Sequence, residues 1–488
     1  MPPLICWTTR LRYKHIISRE KPLCYTIFRF AISRAGVKPP ARKNVNISDG
    51  ERVMSRLSAA IAFIILLTSL TACGDPTMDY LRQGDTYYDQ GQFVEAIAEY
   101  TKAIERNPSL VAAYTHRGAV YNARAEWDMA IADLSKAIEL EPGNADNYQN
   151  RAFAYLAKKQ YDPAITDLVK TVELDPGSAT AYTNLSWLYV HKEQWDKAIE
   201  TSARAIELDP NSYDSYYNRG IAYYRKEQLN KALADFNRVI EINHNIAPAY
   251  SYIGLIYLIT DNATNALGYF DRALQVDPDL AEAYKFKGVV YATFQQYDKA
   301  IENLNTAIQL EDTLAMAYYY RGHVYNNNQE WDRALDDLNR ALTLGTTPGL
   351  STDSEHLDLA RIYLEHSLAN RGKMQLNEAI ADAQKATEND PNNARAFTIL
   401  GEMFIINGDL DEAFDALNKS IKLDPNLPEA YFNRAMAWEI YAIQVNNYSY
   451  YENCAADLRM VIKLNKEPEQ VEEAQAAIRR MQSKGYIP

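Results

Sequence analysis

Four cysteines in 488 residues cannot frame a disulfide-built fold. Cys6 and Cys24 lie in a leader unlike the rest, Cys73 closes an apolar run, and Cys454 falls where a small residue recurs. Seven histidines are scattered, with no HExxH helix and no Cys/His ligand spacing, so no metal centre is expected. Nineteen glycines form no phosphate-cradling loop. Paired acids are common but fall on polar helix faces. No catalytic constellation emerges, and neither enzyme activity nor a cofactor is expected. Basic charge is short as well. The chain carries a net −13, and beyond Cys73 it holds 39 Lys/Arg against 61 Asp/Glu, a net −22. That disfavours nucleic acid as a partner and direct attraction to anionic lipid.

What the chain has in quantity is periodicity. Tyr114, Tyr148, Tyr182, Tyr216, Tyr250, Tyr284 and Tyr318 recur every 34 residues, and Ala130, Ala164, Ala198, Ala232, Ala266, Ala300 and Ala334 keep step. A period of this length signals a stacked solenoid. Within Val111 to Asn144, the residues Tyr114, Arg117, Gly118 and Tyr121 share one helical face. A turn is expected around Ala125. Ala130, Ile131, Leu134, Ala137 and Ile138 then stripe a second helix, which Pro142 ends. Asp128, Asp162, Asp196, Asn230, Thr264, Asp298, Asp332, Asn377 and Asp411 occupy one slot and are read as N-caps of the second helices. Pro163 is placed at a first helical position. Gly118, Gly220, Gly254, Gly288 and Gly322 fall mid-helix, where glycine costs roughly 1 kcal/mol against alanine. Close helix approach, with the Ala at position 20 opposite, is the expected compensation.

This pattern resembles the tetratricopeptide repeat family: a bulky residue at position 4, a small one at 8, Tyr at 11, Ala at 20 and 27, an apolar residue at 24 and Pro at 32. Eleven units are expected, starting at Thr77, Val111, Ala145, Ala179, Tyr213, Ala247, Ala281, Ala315, Ala360, Ala394 and Pro428. The resemblance implies an all-α fold, a right-handed superhelical solenoid of helix-turn-helix units. Units 1–8 span 77–348 and units 9–11 span 360–467. A capping helix and tail occupy 468–488, with the helix itself at Glu469 to Met481. Two irregularities interrupt the array: an insertion at 349–359 and about seven extra residues near 439–451. Both can be tolerated loops or functional additions.

Residues 54–72 read as a bacterial lipoprotein signal. Arg56 supplies a positive start, Leu57 to Leu70 an apolar core too short for an ordinary span, and Leu70-Thr71-Ala72-Cys73 resembles a lipobox. Cys73 is the expected lipidation site, followed by a short linker over 73–76. Such a signal belongs at a chain start, so 1–53 is expected to be a mis-assigned, disordered upstream extension and Met54 the true start. Gly50-Glu51 can encode a ribosome-binding sequence before it. The alternatives are a genuine basic arm and an uncleaved anchor.

In the family, the first helix of each unit lines the concave surface through positions 2, 5, 6, 9, 12 and 13. Those positions here offer Asn122, Gln149, Asn150, Phe153, Asn184, Trp187, Tyr217, Asn218, Tyr224, Lys285, Tyr319, His323 and Asn326. Asn433 repeats position 6 in the last unit. Each Asn can donate to and accept from a peptide backbone at once. The row at position 6 is similar to the asparagine ladder in the repeat lumen of O-linked N-acetylglucosamine transferases. The alternative is that Asn is merely common there. The carboxylate clamp of chaperone-binding members is not matched, since Lys285 is followed by Val289 at position 9, and recognition of an acidic chain terminus is not expected.

The resulting expectation is a scaffold in the bacterial cell envelope, held to the membrane by its lipid alone and binding other proteins or extended peptides. Gly74 after the cysteine points to the outer membrane or cell surface. The alternatives are a peptide- or glycan-binding receptor and a regulatory subunit of a cell-wall enzyme.

Overall fold

The computed structural model describes residues 75–346, 358–465 and 468–488. The signal, Cys73, the upstream extension and nearly all of the 349–359 insertion lie outside them. The described residues form helix pairs in two bodies, one ending at Asp235 and one beginning at Phe236. In the first body the pairs open with Pro76–Asp89, Val111–Ala123, Ala145–Ala157, Ala179–His191 and Tyr213–Arg225. In the second they open with Ala247–Ile259, Ala281–Thr293, Ala315–Asn327, Leu359–Gly372, Ala394–Asn407 and Pro428–Gln444. These are the eleven expected units, nine beginning on the expected residue and two one residue earlier. The cap is the helix Pro468–Ser483.

One residue per unit turns the chain between its two helices in a left-handed conformation. Ala125, Lys159, Glu193, Glu227, Asp261, Gln295, Gln329, Met374 and Asn446 all have positive φ, and Gly91 and Gly408 do the same work. The turn expected at Ala125 is therefore present, and glycine fills the slot only twice.

The expected N-caps are wrong by two residues. The second helices begin at Trp127, Tyr161 and Trp195, so Asp128, Asp162 and Asp196 are already inside the first turn. Glu126, Gln160 and Gln194 precede those helices and make no side-chain cap bond. Pro163 is accordingly the third helical residue, where its missing N–H still has no intrahelical acceptor to lose. An acid there complements the helix dipole. It also pairs with the next unit: Lys158 with Asp128, Lys192 with Asp162, Lys226 with Asp196, and Lys373 with Asp332 at 2.6 Å.

The glycine expectation holds in direction and changes in partner. A Cβ on Gly118 would lie 2.7 Å from Leu134 Cγ, on Gly254 2.7 Å from a Phe270 ring carbon, and on Gly288 2.6 Å from Leu304 Cγ. The close neighbour is thus the position-24 side chain. The position-20 alanine contributes its carbonyl oxygen, 3.2 Å from the Cβ position at Gly288. Position-20 alanines themselves are fully buried throughout.

Position 7 carries the second recurring device. Arg151 Nε and Nη2 donate to the two oxygens of Asp167 at 2.8 and 2.7 Å, while Nη1 donates to Ser135 Oγ of the preceding unit at 2.9 Å. Tyr148 and Tyr155 flank the guanidinium, their ring centres each 5.9 Å away. Arg117–Asp133, Arg219–Asp235, Arg321–Asp337 and Arg434–Asp457 repeat the fork. His366 Nδ1 to Asp382, 2.7 Å, replaces it in unit 9. A planar donor fork suits a carboxylate held between two helices.

The extra residues near 439–451 are structural. They lengthen the last first helix to Gln444 and add a 3-10 turn, Tyr448–Tyr450. Trp438 stacks on Tyr450 at 5.7 Å, and Tyr448 and Tyr451 each lie 4.7 Å from Tyr486. The insertion therefore builds the closing end. Cys454 is buried there beside Tyr431 and Ala435, as its place at a small-residue position implies. Burial pushes its thiol up to about 12, so it is inert.

Candidate functional site

First helices carry the expected binding residues, but packing claims several of them. Asn122 Nδ2 donates to the Asn150 carbonyl of the next unit at 2.9 Å. Asn326, at the same position 12, donates to the Glu365 carbonyl at 2.9 Å. Asn218 is buried and donates to Ser186 Oγ at 2.9 Å. Lys285 is fully buried, with its ammonium 4.5 Å from the centre of the Phe286 ring. Tyr217 is buried as well. The three asparagines are committed to neighbouring repeats, and Lys285 and Tyr217 are buried rather than set on an open surface. The row of Asn150, Asn184 and Asn218 is thus not three equivalent open amides: Asn150 and Asn184 are half-buried and Asn218 is spent on the stack. A long polar side chain at a repeat junction satisfies buried groups of its neighbour first.

The rest remain partly open: Gln149, Asn150, Phe153, Asn184, Trp187, Tyr224, Tyr319 and His323. Phe153 meets Trp127 edge-on at 5.9 Å. Trp187 stacks on His191 at 5.4 Å and meets Tyr161 at 6.1 Å. Both of these position-9 aromatics therefore pack on the position-17 aromatic of the preceding unit and stay partly exposed.

Tyr319 and His323 belong to a defined recess in the second body. It has a volume of about 470 Å³ and is lined by Tyr319, His323, Arg361, Leu364, Glu365, Leu368, Asn393, Arg395 and Ile399. Three successive first helices supply it. Glu365 forms the anchor. Its Oε1 meets His323 Nδ1 at 2.9 Å and its Oε2 accepts from Asn326 at 2.9 Å. Burial opposes the charge of Glu365, but the His323 and Asn326 hydrogen bonds and the nearby Arg395 leave its carboxyl below the usual range. The same bond to Glu365 raises His323. Burial pushes the Tyr319 phenol up to about 12, so it stays a neutral donor. Asn393 accepts from the Ala396 N–H as the N-cap of its helix. Glu365, Arg361 and Arg395 escaped sequence reasoning. A signal was available: Glu365 is the one acid at position 6, and Arg361 and Arg395 repeat at position 2.

Tetratricopeptide repeat models match residues 84–123, 134–166, 185–249, 253–313, 287–349 and 401–438. The chain is a tetratricopeptide repeat protein. No curated protein matches this tetratricopeptide chain. Among solved structures it is similar to YrrB, described as a TPR protein with an unusual peptide-binding site. They share 27% identity over 38% of this chain and 95% of YrrB, with a TM-score of 0.35. The Cut9–Hcn1 hetero-tetramer of the APC/C matches at 16% identity, covering 74% of this chain and 76% of that one, TM-score 0.49. Yeast Tom70 matches at 16% identity, covering 84% and 96%, TM-score 0.38. Among the described residues no group of three metal-binding side chains converges, and no helix is long and apolar enough to cross a membrane.

Proposed function

We propose that this tetratricopeptide protein is a non-enzymatic scaffold of the bacterial cell envelope, lipidated at Cys73, that binds extended segments of partner proteins along its first helices. The observation that carries the binding half is the rigid, partly open row of Gln149, Asn150, Phe153, Asn184 and Trp187 on successive first helices. Half-buried amides beside fixed aromatic edges offer hydrogen bonds and apolar contact together, the combination that anchors interfaces. The anchor half rests on sequence: the Leu70-Thr71-Ala72-Cys73 box after an apolar run.

Cross-linking in cells followed by purification tests the binding half. Large stable partner proteins support the scaffold reading; recovery of short peptides or glycan alone supports a receptor instead. Asn150→Ala with Asn184→Ala should weaken a recovered partner about tenfold while helix content is kept, since each lost hydrogen bond is worth roughly 0.5–1.5 kcal/mol. Mass spectrometry tests the anchor. A diacylated N-terminal peptide at Cys73, lost in Cys73→Ala, is expected; an unmodified Cys73 in the native protein sinks it.

A further inference from the structure

We infer that the recess between Tyr319 and Ile399 binds an acidic segment of a partner protein, with two carboxylates reaching Arg361 and Arg395 and an apolar side chain between them. This rests on the scaffold reading and gives one of its sites a partner chemistry.

The two arginines occupy position 2 of successive units, one repeat apart on the same face. Both are exposed. Arg361 Nε meets Asp358 at 3.2 Å, and among the described residues its Nη groups take no further bond. Arg395 has no paired carboxylate among them. The position-7 arginines, by contrast, are forked onto aspartates. Glu365, close enough to Arg395 to feel its charge, is already occupied: it gives one oxygen to His323 and the other to Asn326. The recess thus holds a satisfied carboxylate on its floor and, at its rim, one guanidinium bonded through Nε alone and one with no paired carboxylate among the described residues. Leu364, Leu368 and Ile399 supply apolar contact, and Tyr319 adds a neutral donor.

An arginine fork recognises a carboxylate with two parallel hydrogen bonds. An extended peptide places alternate side chains on one face about 6.6–6.8 Å apart, so a segment that reads acid, apolar, acid at every second residue can address both rim and floor. The arrangement differs from the clamp that sequence analysis excluded, because Tyr319 and His323 stand at positions 5 and 9 where that clamp needs Lys and Asn. A basic rim on a chain of net −13 also discriminates, since the surrounding surface repels an acidic segment that is not engaged.

The test is fluorescence anisotropy with two labelled decapeptides, Asp-Gln-Leu-Gln-Asp-Gln-Leu-Gln-Asp-Gln and its counterpart with Asn at each Asp. The acidic peptide should bind the wild-type protein, more weakly as salt rises, and the neutral one at least tenfold more weakly. Arg361→Gln with Arg395→Gln should cost the acidic peptide at least tenfold, with circular dichroism unchanged. Arg479→Gln, exposed on the closing helix, should cost nothing. Absent binding, equal binding of both peptides, or an unaffected double variant overturns the assignment. If cross-linking still recovers partner proteins in that case, the recess is refuted and the scaffold stands. If no partner is recovered either, the scaffold falls with it.

Discussion

At position 7, unit 3 carries Arg151 and unit 4 carries Leu185. Both sit at the same crossing of a first helix on its second helix, in one body. In unit 3 the guanidinium is forked onto Asp167 and reaches back to Ser135. In unit 4 Leu185 is buried, and small hydroxyls do the linking: Thr183 Oγ1 lies 2.8 Å from Ser215 Oγ, and Ser186 Oγ accepts from Asn218. The same backbone tolerates both solutions, so the ion pair is not required for the crossing. A largely buried pair gains little over apolar packing, whereas half a pair is costly. We take the fork as a register device, since its third bond ties one unit to the unit before it.

Breaking that comparison gives the largest expected effect. Asp167→Ala strands a mostly buried guanidinium and should cost about 3–5 kcal/mol in chemical denaturation. Arg151→Leu with Asp167→Thr, which gives unit 3 the residues of unit 4, should cost far less. If the double variant is as unstable as the single, the fork is essential and the register argument fails. The glycines come next. Gly288→Ala drives a Cβ to 2.6 Å from Leu304 and should destabilise by about 1–3 kcal/mol. Gly268→Ala, in the helix Ala263–Val276 with nothing near its Cβ, should stabilise by about 0.5–1 kcal/mol. Equal effects at the two sites would contradict the close-approach argument.

The His323–Glu365 pair gives a pH-dependent comparison between junctions. His323 is raised above its ordinary 6.5, so its contribution is complete below 6.5 and is lost as pH climbs through the raised value. Glu365 is lowered from its ordinary 4.5, so its contribution is complete above 4.5 and is lost as pH falls through the lowered value. Amide protection where these two helices meet, corrected for the intrinsic pH dependence of exchange, should therefore be greatest between about pH 4.5 and 6.5 and should fall on both sides. His323→Gln should flatten that profile. The smallest effect belongs to the exposed lysine pairs: Lys192→Ala, opposite a largely exposed Asp162, should change stability by less than about 1 kcal/mol. A larger loss would show these pairs acting as a network.

The fold was legible because small residues recur where backbones nearly touch. The phase of the array follows from the recurring Tyr and Ala, with Gly marking close approaches. Asp128 was misread because capping rules place an acid at the helix boundary and do not register that Trp127 is already helical. The forks were missed because Arg151 and Asp167 are 16 residues apart, on different helices, and no single-helix period joins them. Their joint recurrence every 34 residues was nevertheless on view, as was Leu185 beside Thr201 where both are absent. At the candidate site, a pattern of asparagines drew notice to part of position 6 and away from its one acid, Glu365. Burial of Asn218 depends on what the preceding repeat offers, here Ser186, which position numbers do not reveal.

The left-handed turn residues carry a consequence for engineering. Nine of the eleven described turns hold a side chain in a conformation glycine adopts freely. Each such residue forgoes about 1 kcal/mol of backbone relief. Because a repeat stack couples mainly to its nearest neighbours, relief can be added turn by turn. Ala125, Lys159, Glu193 and their successors thus form an evenly graduated series of adjustable hinges. With them, the melting of one chosen stretch could be retuned while the binding faces are left untouched.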